Sequence, residues 1–239
     1  MSFGLIYVVN DIIIRYRQNN FCVKGYVVNT IKKSKMDMCE TKRGRPRRFH
    51  REDALAKATG VFCEYGYQGT SVAQLTKVMG MNPPSLYGTF GDKEHLFLEV
   101  LEHYHAPYKA AVAQIFSDAK NTREAFSGLF KLTESYHACL SAQGCLIVNS
   151  GIIRNEESTS IGDKIKALHD DNENMIHKRL KQGQRDGDIP GDVKIRPLSR
   201  YINGILQGAA ALARGQQSPK AVKDLLTQGF ECLERKMTT

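Results

Sequence analysis

No two cysteines in this chain stand at the CxxC spacing of a zinc ribbon or a redox dithiol, although six are present, at positions 22, 39, 63, 139, 145 and 232. A phosphate-binding glycine loop, a GxSxG nucleophile elbow and an HExxH zinc helix are also absent. A catalytic reading therefore has no residues to rest on, and neither an enzyme nor a cofactor is expected. The apolar clusters at 5–9 and 12–14, broken by Asn10 and Asp11, fall short of the roughly 20 apolar residues that cross a bilayer. They also lack the preceding basic residues and the following small-residue site of a signal peptide. A cytoplasmic chain with no membrane partner is expected, its thiols reduced.

Acidic residues are missing from one stretch altogether. Lys42, Arg43, Arg45, Arg47, Arg48 and Arg51 fall within ten residues that contain no Asp or Glu, while Gly44 and Pro46 oppose a helix there. Residues 1–35 contribute +5 and residues 42–51 a further +6 of a formal net charge of +9, so the remainder is slightly acidic. This distribution predicts an extended basic arm that meets DNA, with Arg45 and Arg47 as its contacts, and a larger body that stays off the duplex. The first 35 residues are expected to lie outside the native fold, with Met36 or Met38 as the true start.

Beyond the arm, Ala54, Leu55, Ala58, Val61 and Phe62 recur at helical spacing and the pattern ends near Gly66. Ser71 and Gln74 form a capping box, Val72, Leu75, Val78 and Met79 follow with helical period, and Gly80 supplies a left-handed stop. Asn82 can cap the next helix, whose first turn holds Pro83 and Pro84, where a missing N–H costs little. Leu86 and Phe90 should face inward, leaving Ser85, Tyr87 and Thr89 on other faces with hydroxyls available to phosphates and base edges. Asp92 caps the helix after that and places Lys93 at its positive end, a further phosphate anchor. Helix, tight turn and short second helix describe a unit that lays its last helix in the major groove.

The run GYQGTSVAQLTKVMGMNPPSLYGTFGDKEHLF, residues 66–97, resembles the N-terminal domain of the TetR/AcrR family of bacterial transcriptional regulators. The resemblance implies an all-α fold and a homodimer. Three N-terminal helices would read double-stranded DNA at a palindromic operator, and a larger helical domain would bind a small-molecule effector. By position it also implies that Thr70 and Ser71 offer a hydroxyl to phosphate, that Tyr87 and Lys93 contact phosphates, and that Pro83, Ser85 and Thr89 lie in the recognition helix. The domains expected are a leader at 1–35, an arm at 36–50, a helix-turn-helix unit at 51–91, and an effector-binding and dimerisation domain at 92–239. A repressor released by its ligand is the function implied.

The second domain reads as helical throughout. A long helix from Asp92 carries Phe97, Val100, Leu101, Tyr104 and Tyr108 on one face, and Pro107 should kink or break it. Asn121 with Glu124 opens another helix; Cys145 to Ile153 is apolar; Ile161, Ile165, Leu168, Met175, Ile176 and Leu180 mark an amphipathic helix ended by the polar run 186–191. Two closing helices, from about Pro197 to Arg214 and from Ser218 to Arg235, are expected to form the dimer interface through Tyr201, Ile205, Gly208, Leu212, Leu225, Leu226 and Phe230. The effector pocket is expected among Phe97, Leu101, Tyr104, Tyr108, Phe130, His137, Asn172 and Met175. Two competing readings carry named consequences. A ligand-independent architectural or division protein would have a tightly filled interior, and a thiol or metal sensor would use Cys139 and Cys145 near His137. The His95, Glu99, Glu102 and His103 face is read as solvated surface, and no metal is expected.

Overall fold

A computed structural model describes residues 51–140, 145–152, 159–215 and 218–237, together with the backbone of strands at 6–9, 12–17 and 20–24. The expected Arg45 and Arg47 contacts lie outside the described residues, as does the side chain of Cys139. Strands β1 (Ile6–Val9), β2 (Ile12–Arg17) and β3 (Asn20–Lys24) form an antiparallel meander in the order β1-β2-β3. Val9 pairs with Ile12 and Arg17 with Asn20. The meander's β-branched clusters suit a pleated backbone better than a helix.

Residues 51–237 are helical among the described residues, as expected. Helix α1 (Arg51–Gly69) buries Ala54, Leu55, Ala58, Val61 and Phe62, and Gly66 interrupts it at φ 70°, ψ 178°, a conformation that side chains resist. Helix α2 (Val72–Met79) opens on the capping box: Gln74 N–H donates to Ser71 Oγ at 3.2 Å and Ser71 N–H to Gln74 Oε1 at 2.7 Å. Gly80 closes it in the left-handed region. Helix α3 (Pro83–Phe90) is capped by Asn82, whose Oδ1 accepts from Ser85 N–H at 2.8 Å. Each of these ends satisfies backbone groups that a helix otherwise leaves bare.

Helix α4 (Lys93–Asp118) runs unbroken through Pro107, so the expected break does not occur. Pro107 and His103, whose carbonyl loses its partner, are both exposed, and water can serve that carbonyl. Helices α5 (Thr122–Leu140), α6 (Leu146–Ile152), α7 (Thr159–Arg185), α8 (Ile195–Arg214) and α9 (Pro219–Glu234) complete the body. Asn121 caps α5 by accepting from Glu124 N–H at 2.8 Å, and Ser218 caps α9. No helix among the described residues is long and apolar enough to cross a membrane.

Two cores result. One joins α1, α2 and α3 to the first half of α4, α6 and the start of α7, around Phe62, Leu75, Leu86, Phe97 and Leu101. The other joins the second half of α4 to α5, the rest of α7, α8 and α9, around Phe126, Leu129, Leu180, Ile202 and Leu233. Helices α4 and α7 belong to both, which ties the reading head to the body. Each fully buried Leu or Phe contributes roughly 2–3 kcal/mol of burial free energy. Close approach supplements burial at Gly183 on α7, where a Cβ would sit 1.9 Å from Thr122 Oγ1.

Candidate functional site

The outer face of α3 is built by its two buried anchors, Leu86 and Phe90. With those turned inward, Pro83, Ser85 and Gly88 are exposed and Tyr87 is 50% exposed, its phenol directed away from the core. Thr89 is half-buried and its hydroxyl donates to Ser85 O at 2.7 Å, which leaves the oxygen's lone pairs and the methyl for an incoming partner. Ser71, beside α3 at the start of α2, is exposed. Thr70 differs from the expectation: it is buried and its hydroxyl donates to Gly66 O at 2.6 Å. Its hydroxyl holds the irregular end of α1 and is not presented to a ligand on the surface.

Lys93 opens α4 with its Nζ 4.4 Å from the ring centroid of Tyr67, a cation–π contact that sequence reasoning missed. Tyr67 is in turn stacked against Phe62 and tilted against Phe97. The lysine head is thus fixed against an aromatic platform rooted in the core, and partial burial lowers its pKa. Asp92 beside it accepts from His95 N–H at 2.8 Å and from His95 Nδ1 at 3.0 Å, and these bonds hold its carboxyl below the ordinary range. Helix amides, a positive head and an exposed phenol hydroxyl are groups that suit phosphate oxygens.

Arg51, the last residue of the basic run, is not part of a free arm. It begins α1, pairs with Glu99 of α4 and lies 4.9 Å over the Phe90 ring. Glu102 is similarly engaged by Lys164. The acidic and histidine face of α4 is therefore occupied by ion pairs, and no metal-binding cluster occurs among the described residues.

A cavity lies at the seam of the two cores, with about 70 Å³ open to the centres of water molecules. Of the residues expected there, Tyr104, Tyr108, His137, Asn172 and Met175 line it. Phe97 and Leu101 do not: both are fully buried in the core under α1–α3, a turn or more too early on α4. Phe130 does not either, because its ring packs 5.5 Å from Phe230 between α5 and α9. His105, Thr133, Tyr136, Cys145, His169, Asn203 and Gln207 complete the polar lining, and none of these was anticipated there. Tyr104 and Tyr108 meet Tyr136 edge-on at 6.3 and 5.6 Å. Burial lowers the pKa of His105 and His169 and takes His137 down to about 4, while it raises all three tyrosines, so every titratable side chain around the cavity except Cys145 is accounted for as neutral. Cys145 is neutral as well, its thiol pushed up by burial.

In the closing helices, Tyr201 is 42% exposed and Ile205, Gly208, Leu212, Leu225 and Phe230 are half-buried. Leu226 is a correction: at 3% exposure it belongs to the monomer core. Gly208 and Gly229 bring α8 and α9 of one chain together, against Leu225 and Ile205 respectively.

The sequence matches two family models: "Bacterial regulatory proteins, tetR family" over residues 54–100 and "Tetracyclin repressor-like, C-terminal domain" over 125–228. The HTH-type transcriptional repressor ComR of Escherichia coli (strain K12) is 33% identical over 174 residues, 72% of this chain and 83% of ComR. The repressor BdcR of the same organism is 36% identical over 106 residues, 44% of this chain and 54% of BdcR. Among solved structures, a CifR mutant bound to 26-base-pair operator DNA is 30% identical with a TM-score of 0.72, covering 78% of this chain and 98% of that one. A reading head with an exposed α3, a helical body behind it and these relatives together make this chain a DNA-binding transcriptional regulator of the TetR family.

Proposed function

We propose that the chain is a homodimeric repressor that leaves a palindromic operator when a small molecule enters the cavity at the seam of its cores. The observation that carries this reading is the cavity's position. Tyr104, Cys145 and Ile147 on one side belong to or pack on the core beneath α1–α3, while Val112, Leu129 and Ile176 on the other belong to the core of the body. A ligand there touches both units and can favour one relative placement over another, which is the differential affinity that linkage requires. ComR and BdcR are named repressors, and the CifR mutant is described in complex with its operator duplex, which supports the same sign and partner here.

Ser71, Pro83, Ser85, Tyr87, Thr89 and Lys93 make the DNA face in this reading, with Arg45 and Arg47 reaching from the arm. Thr70 acts behind them as a positioning residue. Tyr201, Leu212, Leu225 and Phe230 make the dimer face, with Ile205 and Gly208 setting the approach of α8 to α9. The architectural alternative expects a filled interior, which the cavity disfavours. The thiol-sensing alternative uses Cys139 and Cys145 and expects an accessible, low-pKa thiol; Cys145 is raised by burial, and the side chain of Cys139 lies outside the described residues.

Tyr87→Phe and Lys93→Ala test the contacts. Each removes a charge-assisted bond worth roughly 1.5–3 kcal/mol, so operator affinity should fall about tenfold or more while thermal melting stays in place. Lys93→Ala should also make the salt dependence shallower by about one counterion. Unchanged affinity in both variants would refute the phosphate assignments. For the linkage, a cavity ligand that weakens operator binding by some factor must itself be weakened by operator to the same factor. Binding without such reciprocity would refute ligand release.

A further inference from the structure

Three features of the cavity restrict what can occupy it. The first is charge. Among the described residues no Asp, Glu, Lys or Arg lines it; its polar groups are tyrosine and threonine hydroxyls, imidazoles, a thiol and the amides of Asn172, Asn203 and Gln207. An ion entering would give up its water with no opposite charge to meet it, a cost that protein interiors avoid. The histidines do not readily supply one. At pH 7 about one His137 in a thousand carries a proton, given its value of about 4.

The second feature is shape. The rings of Tyr104, Tyr108 and Tyr136 border the space together with Val112, Leu129, Ile147, Met175, Ile176 and Leu206. Tyrosine rings set edge-to-face favour another flat ring among them, whose faces and edges match theirs. The space open to the centres of water molecules is about 70 Å³, small beside the roughly 300–1,000 Å³ of sites for drug-sized ligands, which points to a small ligand.

The third is unmet hydrogen bonding. His105 Nε2 and His137 Nδ1 are buried with no partner among the described residues, and both residues line the cavity. Three lining hydroxyls are already engaged. Thr133 Oγ1 donates to Leu129 O at 2.9 Å and so receives the Tyr108 hydroxyl at 3.3 Å, and the Tyr104 hydroxyl accepts from Leu146 N–H at 3.4 Å. Buried polar atoms left bare are costly, and a ligand hydroxyl can relieve either imidazole, donating to a bare nitrogen or accepting from an N–H.

We propose that the cavity takes an uncharged compound of one substituted aromatic ring bearing a hydroxyl or carbonyl group, bonded to the imidazoles of His105 and His137. The assignment rests on the reading of the cavity as the effector site. It excludes carboxylates, phosphates, acyl carriers and amines as primary ligands.

Three probes share a phenol ring and differ in charge at pH 7: 4-methylphenol, 4-hydroxybenzoate and tyramine. Calorimetric titration of the full chain should show 4-methylphenol binding at least tenfold more tightly than either charged analogue. Affinity for it should drop tenfold or more in the cavity-filling variant Ala210→Leu and fall in His137→Phe, with folding checked by melting. Should Ala210→Leu not fold, Met175→Phe fills the same space from α7. Equal or tighter binding of a charged probe that the filling variants abolish would overturn the proposal. So would failure of all three to bind at millimolar concentration. Operator affinity is measured in parallel. A neutral probe that fills the cavity and leaves operator affinity unchanged supports this ligand class and refutes the effector reading. Operator release by a charged probe, lost on filling the cavity, supports the effector reading and overturns the class.

Discussion

Acid should destabilise this protein through His137, by an amount its burial sets. The imidazole is 7% exposed, and loss of hydration for its charged form moves it from 6.5 to about 4. As pH falls through 6.5 the unfolded chain protonates this ring, while the folded chain resists until about 4. The unfolded state therefore binds more protons across that window, so the stabilising contribution is full above 6.5 and is lost as pH drops towards 4. From 6.5 to about 4, at ~1.4 kcal/mol per pH unit, the loss amounts to roughly 3 kcal/mol. Urea titrations of the wild type and of His137→Phe at matched protein concentration, from pH 7.5 down to pH 4, separate this contribution from the rest. His105, His169 and His177, whose values burial also lowers, titrate in both proteins and cancel in the difference. The variant's stability should fall less over the window by up to about 3 kcal/mol. Parallel curves would refute the argument and mean that water or another group reaches the ring.

Gly183→Ala should lower stability by about 2 kcal/mol or more, since its Cβ would meet Thr122 Oγ1 at 1.9 Å and overpacking of this kind forces backbone movement; an unchanged urea midpoint would contradict the close approach of α5 and α7. Tyr201→Glu combined with Leu212→Glu should shift sedimentation from dimer to monomer and leave helix content intact. Leu226→Ala, a core truncation, should instead cost roughly 2–5 kcal/mol of stability without selectively separating subunits. Persistence of the dimer in the double variant would move the interface away from α8 and α9.

The legible parts of the sequence were those set by neighbours in the chain. Ser71 with Gln74, Asn82 and Asp92 announce helix starts because a capping side chain reaches a backbone N–H only a few residues away. Gly80 announces a stop for the same local reason. Periodicity also found the inward faces, yet it marks that a residue turns inward and not what it meets there. Phe97, Leu101, Tyr104 and Tyr108 share one stripe of α4, but the first two fill the core of the reading head and the last two border the cavity. Volume left by α6, α7 and α8 decides between them, and those helices are distant in sequence. One signal was present and unused: His105 follows Leu101 by four residues, so it interrupts an apolar stripe with a polar ring, as cavity residues do. The sequence suggests a surface hydroxyl at Thr70 because position alone cannot reveal that the Gly66 carbonyl, freed by a backbone break, accepts its hydrogen bond. The Lys93 contact with Tyr67 was equally hidden, since it depends on how α1 crosses α4.

The most direct measurement is binding of the full chain to a fluorescent duplex carrying the intergenic sequence upstream of its own gene, across a salt series with unlabelled random DNA as competitor. Specific recognition through α3, Tyr87 and Lys93 predicts tight binding that resists competitor and weakens steeply as salt rises. Binding to the random duplex with the same affinity would contradict sequence-specific regulation at that site.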